Sequence, residues 1–250
     1  MKYKYIDQTP EIIWDEKGQP LSKAFDDIYY SPIDGLSESR HIFIDGNHLS
    51  ERWQGLKDGE LFTIFESGFG SGLNFLATMH LWQELSPVAH LQYISLEGFP
   101  LSQSQLERAL QPWQSQLEAE SVSLINNYDA LLNQTGPVDF PGNISLRLIK
   151  RKANELSKQD VETDIIDAIF MDGFSPVKNP DMWSTLLCDY LFDIAKPGAS
   201  LATFSVAGLV KRNLKQAGFE LCKQPGFGKK REMLTATKPV EGKEPGHHNL

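Results

Sequence analysis

The chain has 250 residues, 40% of them hydrophobic and 23% charged. That is enough apolar material for one large α/β domain, and it excludes pervasive disorder, a collagen repeat and a disulfide-dense scaffold. Thirty-three acidic against 24 basic residues leave a formal charge of -9, which argues against a nucleic acid held by the protein's overall field but not against a local basic patch. Cys188 and Cys222 are the only cysteines and form no CxxC pair, so no zinc ribbon, redox motif or other metal site is expected, and a reducing compartment follows. The opening MKYKYIDQTPEIIWDEKG has no signal-peptide core and the apolar runs are too short to span a bilayer. A cytoplasmic protein without membrane contact is expected.

Residues 1–60 read as a small, strand-rich N-terminal extension laid on a larger sheet. Its strand-like pieces are Ile12-Ile13-Trp14, the Tyr29-Tyr30 region and His41-Ile42-Phe43-Ile44 before Asp45-Gly46. Residues 61–237 read as the main domain. LFTIFE (61–66) is a strand buried on both faces; it ends in the loop SGFGSG, and a helix follows over 73–85. LQYISLE (91–97) is a second strand, and residues 102–118 are helical with a break near Pro112. The breakers in 126–142 predict a surface excursion. Strands at 144–150, 168–172 and 199–205, helices at 181–195 and 208–218, and two closing strands complete the domain. Residues 238–250 read as a tail or linker. A mixed, mostly parallel sheet with a ligand crevice at its carboxyl edge is the architecture this order predicts.

The loop Glu66-Ser67-Gly68-Phe69-Gly70-Ser71-Gly72 sets glycines at alternate positions directly after a buried strand. Glycine lets ligand atoms approach the backbone, and the helix that follows presents free N–H groups and a partial positive charge. The dinucleotide fingerprint is GxGxxG; this loop is GxGxG, with an acid two residues before the first glycine, which points to S-adenosylmethionine over NAD. A purely structural turn is the alternative. Glu97 closes the second strand, where an acid can accept both hydroxyls of a ribose, or serve only as a capping or surface acid.

Asp172-Gly173-Phe174 follows the strand at 168–172. The carboxylate can orient or deprotonate a nucleophile and the ring can stack on a planar substrate; a carboxylate held by its own turn is the plain alternative. Asp181 is placed as a helix N-cap. Lys178 can meet a phosphate or stand as a surface lysine. Lys150-Arg151-Lys152, Lys211-Arg212 with Lys215, and Lys229-Lys230-Arg231 are basic clusters that can converge on a phosphate-binding rim or remain solvated.

ESGFGSGLNFL, SLEGFP, IFMDGFSPVKNPDMW, LATFSVAGLVKRNLKQAGF and GFGKKREML, with FDDIYYSPIDGLSESRHIFIDGNHL earlier, resemble the methyltransferase module of the MnmC family of bifunctional tRNA wobble-uridine modifying enzymes. The resemblance covers nearly all of residues 1–237. It implies a class I Rossmann-like methyltransferase that uses S-adenosylmethionine to methylate the 5-aminomethyl group of 5-aminomethyl-2-thiouridine at tRNA position 34. It also implies an FAD-dependent oxidoreductase domain or partner outside this chain. Carried onto these residues, it assigns Glu66, Gly68, Gly70, Gly72, Asn74, Glu97, Asn154 and Asp172 to the cofactor, and Asp172 and Phe174 to catalysis. Related modules read GDINEL where this chain reads Arg151-Lys152-Ala153-Asn154-Glu155-Leu156, so Lys152 stands in the place of an acid. That departure motivates the rival reading, a non-catalytic tRNA- or nucleotide-binding protein on the same fold.

Overall fold

The computed structural model describes residues 9–16, 18–31, 34–85 and 88–240; most of the expected tail, 241–250, lies outside them. Three short strands, β1 (Ile12–Trp14), β2 (Pro20–Ser22) and β3 (Asp27–Ile28), pair antiparallel in that order. Tyr29 and Tyr30 bend away after β3. The rest of the extension is helical: α1 (Gly35–Ser39) runs into a π-helical segment at Arg40–Asp45, and α2 (Leu49–Gln54) follows. The strand expected at His41–Ile44 is therefore a helix. A four-residue apolar run fits either period, and the decision comes from upstream, where the Asp34 carboxylate accepts the Ser37 N–H at 2.9 Å and starts the helix. Ile42, Phe43 and Ile44 are buried, and Phe43 stacks on Phe170 with ring centroids 5.2 Å apart.

The main domain follows as β4 (Leu61–Glu66), α3 (Leu73–Leu85), β5 (His90–Leu96), α4 (Gln103–Leu110), α5 (Glu118–Asn133), β6 (Val138–Phe140) and β7 (Ile144–Ile149). It continues with β8 (Ile166–Phe170), α6 (Thr185–Ile194), β9 (Ala195–Thr203), α7 (Gly208–Ala217), β10 (Glu220–Pro225) and β11 (Glu232–Thr237). These eight strands form one sheet in the order β10-β11-β9-β8-β4-β5-β7-β6. Pairing is parallel from β9 across to β7 and antiparallel at both edges. The alternation of side chains along each strand splits the core into two layers. Phe62, Ile64 and Tyr93 pack with the extension and α3–α5, while Phe65, Ile94 and Ile169 pack with α6 and α7. The chain builds outward from β4 through β5 to β7, then returns to place β8 on the other side of β4, so the strand order reverses between β4 and β8. Open α/β sheets bind ligands at that reversal, beyond the carboxyl ends of the strands.

Two further expectations are corrected. Residues 126–133 are not a surface excursion but the second half of α5, and the short strand β6 follows. Leu124, Tyr128 and Leu131 fall on one buried face, and the polar residues that look like breakers bond back to the helix: Asn127 to the Ser123 carbonyl at 2.8 Å and Asn133 to that of Asp129 at 2.9 Å. Asp181 does not cap α6. It sits in a 3-10 turn at Pro180–Trp183, and Ser184, with extended backbone, accepts the Leu187 N–H at 3.3 Å. No helix among the described residues is long and apolar enough to cross a membrane.

Candidate functional site

A cavity of about 820 Å³ opens where β4, β5 and β8 end, and Gly68, Gly70, Asn74, Glu97, Asp172 and Phe174 all line it. The loop after β4 is stapled to the turn after β8 by Ser67. Its hydroxyl donates to the Asp172 carbonyl at 2.6 Å and accepts the Asp172 N–H at 2.9 Å. Two glycines of the loop are required by shape. Gly70 has φ +54, and Gly72 has φ +75 with space so tight that a Cβ would lie 2.8 Å from Leu124.

Two acids mark the cavity. The half-buried Glu97 accepts the Gly70 N–H at 2.8 Å on one oxygen and the Phe99 N–H at 2.7 Å on the other, so it fixes the glycine loop while each oxygen keeps a lone pair toward the cavity. Burial raises its pKa against the lowering effect of those N–H groups. Asp172 accepts the Gly173 N–H and the Asn74 amide, each at 2.8 Å. Burial carries its pKa up to about 6.

Behind them lies Glu66, which is fully buried and not part of the cavity wall. One of its oxygens accepts the Asn74 amide at 2.9 Å and the other the Ser95 hydroxyl at 2.7 Å. Burial lifts its pKa to about 8, with the charge of Asp172 adding to the rise and the Ser95 and Asn74 bonds opposing it. Asn74 thus spends both amide hydrogens holding two carboxyl groups together, while its own carbonyl accepts the Ser39 hydroxyl at 2.5 Å. Burial thus raises both carboxyl groups of the network, Glu66 further than Asp172, so their environments push the two apart.

The wall opposite the loop comes from the extension. Phe25 stacks on Phe174 at 4.9 Å and meets Phe99 edge-on at 5.4 Å, and Tyr29 meets Phe174 edge-on at 5.2 Å. Glu38 pairs with Lys230 at 2.9 Å, and the Lys230 ammonium lies 4.7 Å above the Phe204 ring. Sequence reasoning missed Ser39, Ser67, Phe25, Tyr29 and Glu38 as site residues; the only signal for Phe25, Tyr29, Glu38 and Ser39 was their place in FDDIYYSPIDGLSES. The structure leaves Gly72 and Asn154 off the cavity wall. Asn154 is exposed, with its amide 3.3 Å from an Asp181 oxygen, and the neighbouring Arg151, Lys152 and Asp181 reach the cavity instead. Lys152 lies 5.4 Å over the Phe99 ring.

The basic clusters separate. Lys150 is drawn to the Leu132 and Gln134 carbonyls at the end of α5, a favourable place for a cation, and Arg151 pairs with Asp160 at 3.3 Å. Lys178 pairs with Asp26 and Asp27.

The reversal point, the glycine loop and the strand-end acid together define a class I methyltransferase site, and the chain belongs to the S-adenosyl-L-methionine-dependent methyltransferase family, whose sequence pattern matches residues 115–239. It is 44% identical over 233 residues to the tRNA 5-methylaminomethyl-2-thiouridine biosynthesis bifunctional protein MnmC of Pseudomonas aeruginosa, an alignment covering 92% of this chain and 35% of that protein. It is 42% identical over 228 residues to the protein of the same name from Acinetobacter baylyi, covering 90% and 36%. The chain spans about a third of the length of these relatives. The crystal structure of MNMC2 from Aquifex aeolicus superposes with a TM-score of 0.71 at 23% identity, covering 96% of this chain and 75% of that one, and shares the fold.

The residues present fit the family's cofactor. The cavity volume lies within the roughly 300–1,000 Å³ usual for small-molecule sites. A Cβ at Gly68 would lie 3.2 Å from the Asp172 carbonyl oxygen, so glycine there lets the loop and the Asp172 turn approach closely. Gly68 and Gly70 would hold the amino-acid end of S-adenosylmethionine and Glu97 its ribose. Bound there, the cofactor supplies a methyl group on a sulfonium leaving group.

Proposed function

We propose that the chain transfers this methyl group to the 5-aminomethyl group of 5-aminomethyl-2-thiouridine at tRNA wobble position 34, in the cytoplasm. The observation that carries the reading is the 44% identity over 92% of the chain to a protein named for 5-methylaminomethyl-2-thiouridine biosynthesis; that product differs from the proposed substrate by one N-methyl. An FAD-dependent oxidoreductase domain or partner outside this chain would expose the amine.

The chain's task is alignment. A primary amine is protonated at neutral pH, with a pKa of about 10, and only the neutral form attacks. Asp172, raised to about 6, is a weak acceptor for such a proton. Its work is to hold the amine by hydrogen bonds and to pair with the positive charge that appears on nitrogen as the methyl arrives. Asn74 fixes the carboxylate's direction. Phe25, Tyr29 and Phe174 give the base a stacking wall and exclude water.

The test is mass spectrometry of nucleosides from tRNA incubated with the purified chain and S-adenosylmethionine. Conversion of 5-aminomethyl-2-thiouridine, with no change in tRNA lacking it, is expected. Binding of both donor and tRNA without conversion would select a non-catalytic binding protein instead.

A further inference from the structure

Residues 208–231 carry seven of the chain's 24 Lys and Arg residues against a single acid, Glu220, in a protein whose net charge is -9. The fold arranges these cations as one strip. α7 lies against β10 at the sheet edge, and between them is a hollow of about 460 Å³ lined by Lys211, Arg212, Lys215 and Lys223, with Cys222 beside them and Leu221 at its base. Lys211 and Lys215 are one helical turn apart, so they share a face. Neither they nor Arg212 make an ion pair among the described residues, and Lys223 has only the Glu232 carboxylate, 2.9 Å away. Both members of that pair are exposed, so it gives little stability and exchanges readily for another anion.

Register shows where the strip leads. Lys223 pairs with Leu234, and Leu234 with Thr203, the last residue of β9 at the ligand edge. The β10–β11 loop with Lys229, Lys230 and Arg231 therefore stands over the cavity mouth, and Lys230 lines the cavity itself. Cations run from Lys215 along α7, across Lys223 and the loop, to the site.

We infer that this strip is the track for the RNA backbone, holding phosphates of the anticodon arm while the target nucleoside enters the cavity. The inference rests on the proposed tRNA substrate. A linear array of cations, of which Lys211, Arg212 and Lys215 make no ion pair among the described residues and Lys223 and Lys230 are held only by the single acids Glu232 and Glu38, ends at a catalytic mouth and fits a polyanion of regular charge whose reacting group is at one point along it.

Cys222 supplies the probe, since it is exposed and the other cysteine, Cys188, is buried. The 250-residue chain is labelled with a maleimide in the presence and absence of saturating tRNA, with tRNA binding followed separately by fluorescence anisotropy between 50 and 200 mM NaCl. Bound tRNA is expected to slow Cys222 labelling at least five-fold. In K211E/K215E the protection should disappear, and the slope of log affinity against log salt should become shallower by about 1–2, the release expected for one or two lost phosphates. Unprotected Cys222 with tRNA bound, or an unchanged salt slope in the variant, would overturn the inference. So would protection by polyglutamate but not tRNA, which would assign the strip to an acidic protein. Protection without methylation would instead defeat the proposed reaction and leave the track standing, so the two readings fail separately.

Discussion

Replacing Glu66 by Gln should make the protein more stable at alkaline pH while leaving it unchanged in mild acid. Glu66 is fully buried and its pKa rises from 4.5 to about 8, burial being the leading cause. The unfolded chain releases this proton from about pH 4.5 upward, whereas the folded chain keeps it until about pH 8. The unfolded state therefore binds fewer protons across that window, and stability falls as pH rises. The loss is about 1.4 kcal/mol per pH unit, or ~5 kcal/mol in full. At roughly 2–4 °C per kcal/mol for a chain of this size, the wild-type melting temperature should fall by ~10–20 °C on this account. Gln has no proton to lose and can offer its carbonyl to Asn74 and its amide to Ser95, so its own contribution is flat. Asp172 and Glu97 also have raised pKa values and act in the same direction in both proteins, so the difference between the two melting curves isolates Glu66. Thermal unfolding from pH 4 to 8.5 would show curves whose separation is smallest at pH 4 and grows steadily in favour of the variant up to about pH 8. Curves parallel within about 2 °C would refute the assignment of a protonated Glu66.

Asp172→Asn should lower single-turnover methylation by about 10²–10³-fold, the cost of removing one positioned electrostatic stabiliser, while donor affinity, read by calorimetry, stays within a few-fold of wild type; equal losses in both would move Asp172 to the cofactor. Glu97→Ala should weaken binding of S-adenosylmethionine or its demethylated product about 10–100-fold, the range for lost hydrogen bonds to a charged group, and equal calorimetric affinity in a folded variant would contradict the ribose assignment. Gly72→Ala, forced to φ +75 with its Cβ against Leu124 and Phe69, should cost ~2–5 kcal/mol, and a melting temperature within about 2 °C of wild type would show that the loop relaxes freely.

The half of the site that lies on the sheet was legible because its signals are local. A strand buried on both faces, a glycine loop and a strand-end acid occupy consecutive positions at 61–72 and at 97, and the chemistry follows from their order. The other half is tertiary. Nothing near Phe25 in the sequence says that its ring will lie on Phe174, and nothing near Glu38 announces Lys230. The misread elements share a cause. At 41–44 a short apolar run carries no period of its own, and at 126–133 the side chains of Asn127 and Asn133 satisfy carbonyls within the helix they were expected to break. Glu66 was read as facing the cofactor because it ends a strand at the right edge. The structure turns it inward, where Asn74 stands between it and the cavity.

The contact between Glu38 and Lys230 spans 192 residues of chain, and that of His41 with the Pro225 carbonyl spans 184. On the ribosome, at about 5–20 residues per second, the extension waits roughly 10–40 s for the strand loop that closes over it. During that interval Phe25, Tyr29 and Phe43 can already meet Phe99, Phe174 and Phe170, but Glu38 and His41 have no partner, and the sheet lacks its last two strands. Catalytic competence is thus among the last properties this molecule acquires: a nascent chain or a C-terminally shortened fragment can hold much of the parallel sheet and still lack a closed methyl-transfer chamber.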